Sequence, residues 1–172
     1  RRSSDLAKKI VSGDVGIDMI AGPSEVCVLA DETALPELVA VDLMAQAEHD
    51  PLASCYLVTF SEAYADAVEN AIKKTVESST RKEITMSSLT DKGLIVICDS
   101  LAQALQTINV IAPEHLELHV SRPMELLGQI RNAGAIFMGE WTPEAVGDYV
   151  AGPNHTLPTG GTARYASPLS VD

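Results

Sequence analysis

Glu114 and His115, an adjacent carboxylic acid and imidazole, have the residue types best suited to acid/base chemistry in this sequence. They follow an apolar run typical of the end of a helix and precede Leu116–Val120, whose alternation is typical of a half-buried strand. Pro113 disfavours the helical conformation at Ala112, so the pair is predicted to lie on a rigid turn. General acid/base catalysis requires titratable groups held in fixed positions. The alternative is a surface turn with a solvated glutamate and an ordinary histidine.

Gln46 and His49 are a candidate metal-binding pair. They lie three residues apart in a predicted helix that begins at Pro36 and must stop before Pro51. At that spacing the two side chains share one helix face and could provide two ligands to a metal such as zinc. The alternative is a helix C-terminus where His49 favours the helix dipole and Gln46 is solvated.

The other candidate residues are isolated in the sequence and do not form pairs. Asp148, after Gly147, could be a third, carboxylate ligand or simply a capping or solvated group. His155 could be a ligand, a substrate donor or an ordinary loop residue. His119 is expected on the polar face of its strand and is set aside.

These candidates are positioned by a regular alternation of apolar strands and helices. Strands are predicted at Val26–Ala30, Ser54–Phe60, Leu94–Cys98, Leu116–Val120 and Ala135–Met138. Helices are predicted up to Ser12, from Pro36, from Glu62 to about Ser78, at Leu101–Ile111 and at Pro123–Asn132, with 79–91 as loop or short helix. This order predicts an α/β, Rossmann-like, doubly wound fold with a mainly parallel five-stranded sheet and helices on both faces. We expect one domain over 1–172, in which 140–172 is mostly loop.

Ser24 lies in a turn immediately before the first predicted strand. Ligands of parallel α/β sheets generally bind at the carboxyl ends of the strands. Topology alone therefore argues against placing Ser24 in a functional site.

Composition limits the classes of partner. The 172 residues carry a net charge of -12 without a basic run, which argues against nucleic acid and anionic membrane surfaces. No run is long enough for a membrane span and no secretory segment opens the chain. Cys27, Cys55 and Cys98 lack metal-ligand spacing and are expected to be buried free thiols in a reducing cytoplasm. The sequence has no Gly-x-Gly-x-x-Gly fingerprint, P-loop or Gly-x-Ser-x-Gly elbow.

Five motifs in this order, through essentially the whole chain, resemble histidinol dehydrogenase. They are Ala21-Gly-Pro-Ser-Glu25, Gln46-Ala-Glu-His49, Ala112-Pro-Glu-His-Leu116, Gly147-Asp148 and Gly152-Pro-Asn-His-Thr-Leu-Pro-Thr-Gly-Gly161. The resemblance implies a zinc-requiring oxidation of L-histidinol through the aldehyde to L-histidine, with two NAD, in the last steps of histidine biosynthesis.

The resemblance also implies residue roles. His115 matches the base that removes the alcohol proton, and Glu114 matches the residue that activates water for the second oxidation. The matching zinc ligands are Gln46, His49 and Asp148. These three residues, with Ser24 and His115, match the substrate contacts. His155 matches a family motif without an assigned role, and no residue is identified for cofactor binding.

The resemblance further implies that the chain is an internal fragment of a longer cytoplasmic homodimer. The family's NAD-binding part would precede it, and a C-terminal tail with a fourth zinc ligand would follow and reach across the dimer. We therefore expect the isolated chain to fold without catalysing the reaction. Two alternatives stay open: a sulfonated-diol dehydrogenase of the same family, and an excised, non-catalytic folding unit.

Overall fold

The computed structural model describes residues 2–17, 19–152 and 154–169, with side chains from residue 6 onward. Its centre is a five-stranded parallel sheet with the strand order β3-β2-β1-β4-β5. The strands are β1 (Glu25–Ala30), β2 (Ser54–Thr59), β3 (Gly93–Ile97), β4 (His115–His119) and β5 (Ala135–Met138). All five agree with the predicted strands to within one or two residues.

Helices cover both faces of this sheet, which confirms the predicted α/β class. They are α1 (Arg2–Val11), α2 (Pro36–Ala47), α3 (Glu62–Val76), α4 (Lys82–Lys92), α5 (Leu101–Ile111) and the short α6 (Glu144–Val146). One apolar core joins the sheet to α2 and α3, and the other joins the opposite face to α5. Among the described residues, no helix has the length and apolar character needed to cross a membrane.

Local sequence explains the main boundaries. β1 is central and almost fully buried, as its continuous apolar sequence predicts for a parallel sheet. Pro36 occupies the first turn of α2, where its missing N–H costs no hydrogen bond. Ser61 and Ser100 cap α3 and α5 by accepting hydrogen bonds from backbone N–H groups.

Two predicted helices have different ends. α2 ends at Ala47, so His49 lies in the following turn and the predicted shared helix face with Gln46 is wrong. The Asp50 carboxylate accepts from the Leu52 N–H at 2.8 Å and stabilises a turn there. The predicted helix at 123–132 is a shorter 3-10 helix, Pro123–Gln129. For residues 79–91 the sequence predicts a loop or a short helix. In the structure most of helix α4 lies within this range.

The prediction of a half-buried β4 is also wrong, because all five of its residues are buried. His119 is 2% exposed, although its alternation indicated a polar face. The reason lies in α2, which places Asp42 and Gln46 among its buried residues and so offers polar partners to this strand.

Candidate functional site

The Glu114–His115 pair lies at the amino end of the sheet, beside the start of β1. β4 begins at His115, whose partner in register is Val26 of β1. The Glu25 N–H donates to Glu114 Oε2 at 3.0 Å, and the Glu25 carbonyl oxygen lies 3.0 Å from His115 Nδ1. Ser24 therefore neighbours the pair. The topological argument against Ser24 fails because this cluster lies at the opposite edge from the carboxyl ends of the strands.

The pair is buried rather than solvated. Glu114 is 3% exposed and His115 is 4% exposed, which contradicts the alternative of a simple surface turn. Ala112 ends α5 in the left-handed conformation, with φ of 52°, as the effect of Pro113 on its predecessor allows. Gly134 and Ala135 donate backbone hydrogen bonds to the carbonyls of residues 113 and 114, both at 2.9 Å. Strand β5 thereby fixes the backbone that carries the pair.

The surroundings of His115 determine which ring nitrogen holds the proton. Nδ1 faces a carbonyl oxygen of Glu25, which can only accept a hydrogen bond. In the neutral ring Nδ1 must therefore carry the proton, which leaves Nε2 as the acceptor. Nδ1 also lies 3.4 Å from Glu144 Oε2 and 3.8 Å from Glu114 Oε2. Either carboxyl, when ionised, would stabilise an imidazolium formed when Nε2 takes a proton.

Glu144 completes this polar cluster, although nothing in its local sequence marks it as a functional residue. Its N–H donates to Glu117 Oε1 at 2.8 Å. The Gln46 amide fits with its nitrogen toward Glu144, at 2.9 and 3.3 Å from the two carboxylate oxygens. Burial, and then the charges of Glu117, Asp148, Glu114 and Asp42, together raise the pKa of Glu144 to about 9. Glu144 is thus held largely protonated near neutral pH.

Most of the other candidate residues predicted from the sequence lie on the surface around this buried cluster. His49, Asp148 and His155 are exposed, whereas Gln46 is buried. His49 lines an open groove together with Ser24. Asp148 lies close enough to act on the pKa of Glu144, to which Gln46 is hydrogen-bonded. The structure therefore groups Ser24 with His49, and Gln46 with the Glu114–His115 pair, while His155 has no described contact with either group.

The Gly-rich segment near the C-terminus closes over the start of β1. The Gly160 N–H donates to Glu25 Oε1 at 3.1 Å, and Thr159 Oγ1 accepts from the Gly22 N–H. Thr159 is buried, and the oxygen it offers would contact any Cβ added at Gly22. Two of the sequence motifs that are more than 130 residues apart are thus in direct contact.

Sequence reasoning missed Glu144, Glu117 and His119. A signal existed for the last two, because His115, Glu117 and His119 are titratable residues at every second position of an otherwise apolar strand. Such spacing places all three on one face. Glu144 carried no comparable signal, since an acidic residue after a proline at the start of a short helix is common on surfaces.

A family model and two similar proteins from other organisms carry the same description. The family model described as histidinol dehydrogenase matches residues 4–172. The chain is 55% identical over 166 residues to the histidinol dehydrogenase of Bacillus subtilis, covering 96% of this chain and 39% of the relative. It is 58% identical over 167 residues to that of Parasynechococcus marenigrum, covering 97% and 38%.

A solved structure shares the fold over nearly the whole chain. It is that of histidinol dehydrogenase from Elizabethkingia anophelis, with a TM-score of 0.94 and 38% identity, covering 99% of this chain and 39% of that one. The chain thus spans about two fifths of the length of the relatives it matches. With the fold, the ordered motifs and this match over residues 4–172 in agreement, the chain belongs to the histidinol dehydrogenase family.

Proposed function

We propose that this chain is the segment of a histidinol dehydrogenase that supplies the acid/base pair and most of the zinc ligands. The complete enzyme would oxidise L-histidinol to L-histidine through the aldehyde. The observation that carries the proposal is the buried Glu114–His115 pair. The backbone of Glu25 holds both residues, because its N–H contacts Glu114 and its carbonyl oxygen contacts His115. The reported relatives are all named histidinol dehydrogenase, which favours this substrate over a sulfonated diol.

His115 is proposed to act as the base of the first oxidation. Oxidation of an alcohol removes a hydride from carbon and a proton from oxygen, and the Nε2 atom of His115 would accept that proton. NAD, when bound, accepts the hydride in each of the two oxidations. The Glu114 carboxyl lies 3.8 Å from Nδ1, so its ionised form would stabilise the charged ring as it forms.

Glu114 is proposed to activate water for the second oxidation, in which the aldehyde gains an oxygen. The Glu25 N–H donates to Glu114 Oε2 at 3.0 Å and fixes the orientation of the carboxyl that would accept the proton of the water. Its backbone is fixed by β5 through the Ala135 N–H. The carboxylate is therefore held in place before substrate binds.

Gln46, His49 and Asp148 are the residues proposed to hold zinc. Imidazole nitrogen and carboxylate or amide oxygen are suitable donors, and His49 and Asp148 are accessible. The Gln46 nitrogen contacts Glu144, which leaves the amide oxygen on the other side. Zinc would position the substrate there. Ser24, Gln46, His49, His115 and Asp148 are proposed to contact that substrate, and Ser24 shares a groove with His49.

The parts of the reaction outside this segment follow from the coverage of the relatives. We propose that the NAD site lies mostly in the remaining three fifths of such an enzyme, which would be a cytoplasmic homodimer. The 172-residue chain alone should then produce no NADH from histidinol.

The test is NADH formation in a full-length family member carrying this segment. His115→Asn is expected to lower kcat by about 10²–10⁴-fold, the usual contribution of a general base. Glu69→Gln, which alters an exposed residue paired with Lys73, is the control and should retain activity. Full activity of His115→Asn with histidinol, or NADH formed by the 172-residue chain alone, would contradict the proposal.

A further inference from the structure

A second group of convergent ligands lies deeper in the fold, between α2 and β4. Asp42 of α2 faces Glu117 and His119 of β4, and the three side chains are buried. Their ligand atoms all lie within 4.8 Å of one another. The group contains none of the residues assigned above to zinc, substrate or the acid/base pair.

The contacts that His119 makes within this group are not hydrogen bonds. His119 Nε2 lies 3.3 Å from Glu117 Oε2 and 3.4 Å from Asp42 Oδ2. Despite these distances, each of the three atoms is buried without a hydrogen-bond partner. Their lone pairs therefore converge on a common point instead of on one another. Ligands held about 2.0–2.2 Å from a tetrahedral zinc ion are separated by about 3.3–3.5 Å, which agrees with both distances.

The charge of the group also favours a cation. Two buried carboxyl groups lie close together, and each must stay neutral or be paired. Burial raises the pKa of Asp42 to about 8, and the negative charge of Glu117 contributes. An ion bound between them removes this repulsion, and its ligands must be deprotonated.

We propose that Asp42, Glu117 and His119 form a buried site for a divalent transition-metal ion such as zinc. An imidazole with two carboxylates suits zinc, manganese or iron better than magnesium or calcium, which prefer oxygen ligands alone. The ion would join α2 to β4. The remaining Glu117 oxygen accepts from the Glu144 N–H at 2.8 Å, so the ion would also fix the start of α6. This proposal is independent of the proposed catalytic function.

The first measurement uses the wild-type 172-residue chain. It is refolded with Co²⁺ or Zn²⁺, dialysed against a chelator and analysed for metal and for the visible spectrum of Co²⁺. We expect about one ion retained per chain, because a structural ion in a closed site exchanges only on unfolding. Retention of less than about 0.1 ion per chain would overturn the proposal, whatever any variant does.

Two variants at the proposed ligands and one control variant identify the site. His119→Gln should abolish the retained metal, whereas His49→Ala should retain as much as the wild type, because His49 is exposed and outside the group. Asp42→Asn keeps the side-chain volume and should weaken retention. After dialysis against the chelator, the ion that is retained should raise the thermal midpoint of the wild type and of His49→Ala above that of chain refolded without metal, whereas His119→Gln should show no such rise. Loss of the retained metal in His49→Ala with retention in His119→Gln would assign the ion to the catalytic site and overturn this proposal.

Discussion

The backbone of Glu25 orients both members of the acid/base pair. Its N–H donates to Glu114 and its carbonyl accepts from His115, so the two side chains are fixed by opposite sides of the same residue. A carboxylate that accepts an N–H is favoured in its ionised form, and a ring that donates through Nδ1 presents Nε2 as a base. The two groups thereby acquire different protonation roles although they are adjacent in the sequence.

Glu144 is the residue whose protonation should be visible in stability. Its pKa is raised from 4.5 to about 9 by burial and by neighbouring carboxylates. Between these values the unfolded chain has lost the proton that the folded chain keeps, so rising pH lowers stability. We predict that Glu144→Gln is stabilised relative to the metal-free wild type by a margin that grows with pH in that range, at up to about 1.4 kcal/mol per pH unit.

Urea unfolding followed by circular dichroism at pH 5–9, in the presence of a chelator, measures this margin. Glu48→Gln is the matched control because Glu48 is exposed. It should follow the wild type at every pH. A constant difference between Glu144→Gln and the wild type would show that Glu144 ionises normally in the fold.

At the scale of elements, the pair depends on close packing between β5 and the turn before β4. A Cβ added at Gly134 would lie 2.5 Å from the Glu114 carbonyl oxygen, which the Ala135 N–H already holds at 2.9 Å. We predict that Gly134→Ala destabilises the chain by about 1–3 kcal/mol, because backbone atoms must move. Gly128→Ala is the control, since a Cβ there meets nothing within 4 Å. Equal urea midpoints for the two variants would contradict this packing argument.

Local sequence predicted the strands well because their apolar runs are short and continuous, and the sheet buries most of the central strands β1 and β2. Local sequence did not predict burial correctly where the packing partners are distant along the chain. The alternation of β4 indicated a half-buried strand, but its residue His119 faces the buried Asp42 of α2, more than seventy residues earlier. The predicted helix through His49 is too long because Pro51 limits only its latest possible end. In the structure α2 ends at Ala47, and Asp50 stabilises the turn that follows.

At the scale of the whole molecule, the candidate site lies at an unexpected edge of the sheet. The rule that placed ligands at the carboxyl ends of strands would have directed attention away from Ser24 and Glu25. Here the Glu114–His115 turn, the start of β1 and the segment around Gly160 meet at the amino ends. Ordered motifs identified these residues from sequence, but only long-range packing explains why they are together.

The net charge of -12 should make the stability of the whole chain depend on salt. Within the described part of the chain, the ion pairs of acidic residues with lysine or arginine are exposed and so contribute little; they are Glu69–Lys73, Glu77–Lys82 and Glu125–Arg122. Repulsion among the excess carboxylates therefore dominates the surface electrostatics. We predict that the thermal midpoint rises by a few degrees, about 2–6 °C, between about 20 mM and about 0.5 M NaCl as the repulsion is screened.

A variant with Glu32, Glu48 and Asp66 changed to lysine, all exposed, halves the net charge and should show a smaller rise. A midpoint that falls with salt in the wild type would mean that attractive ion pairs outweigh the repulsion.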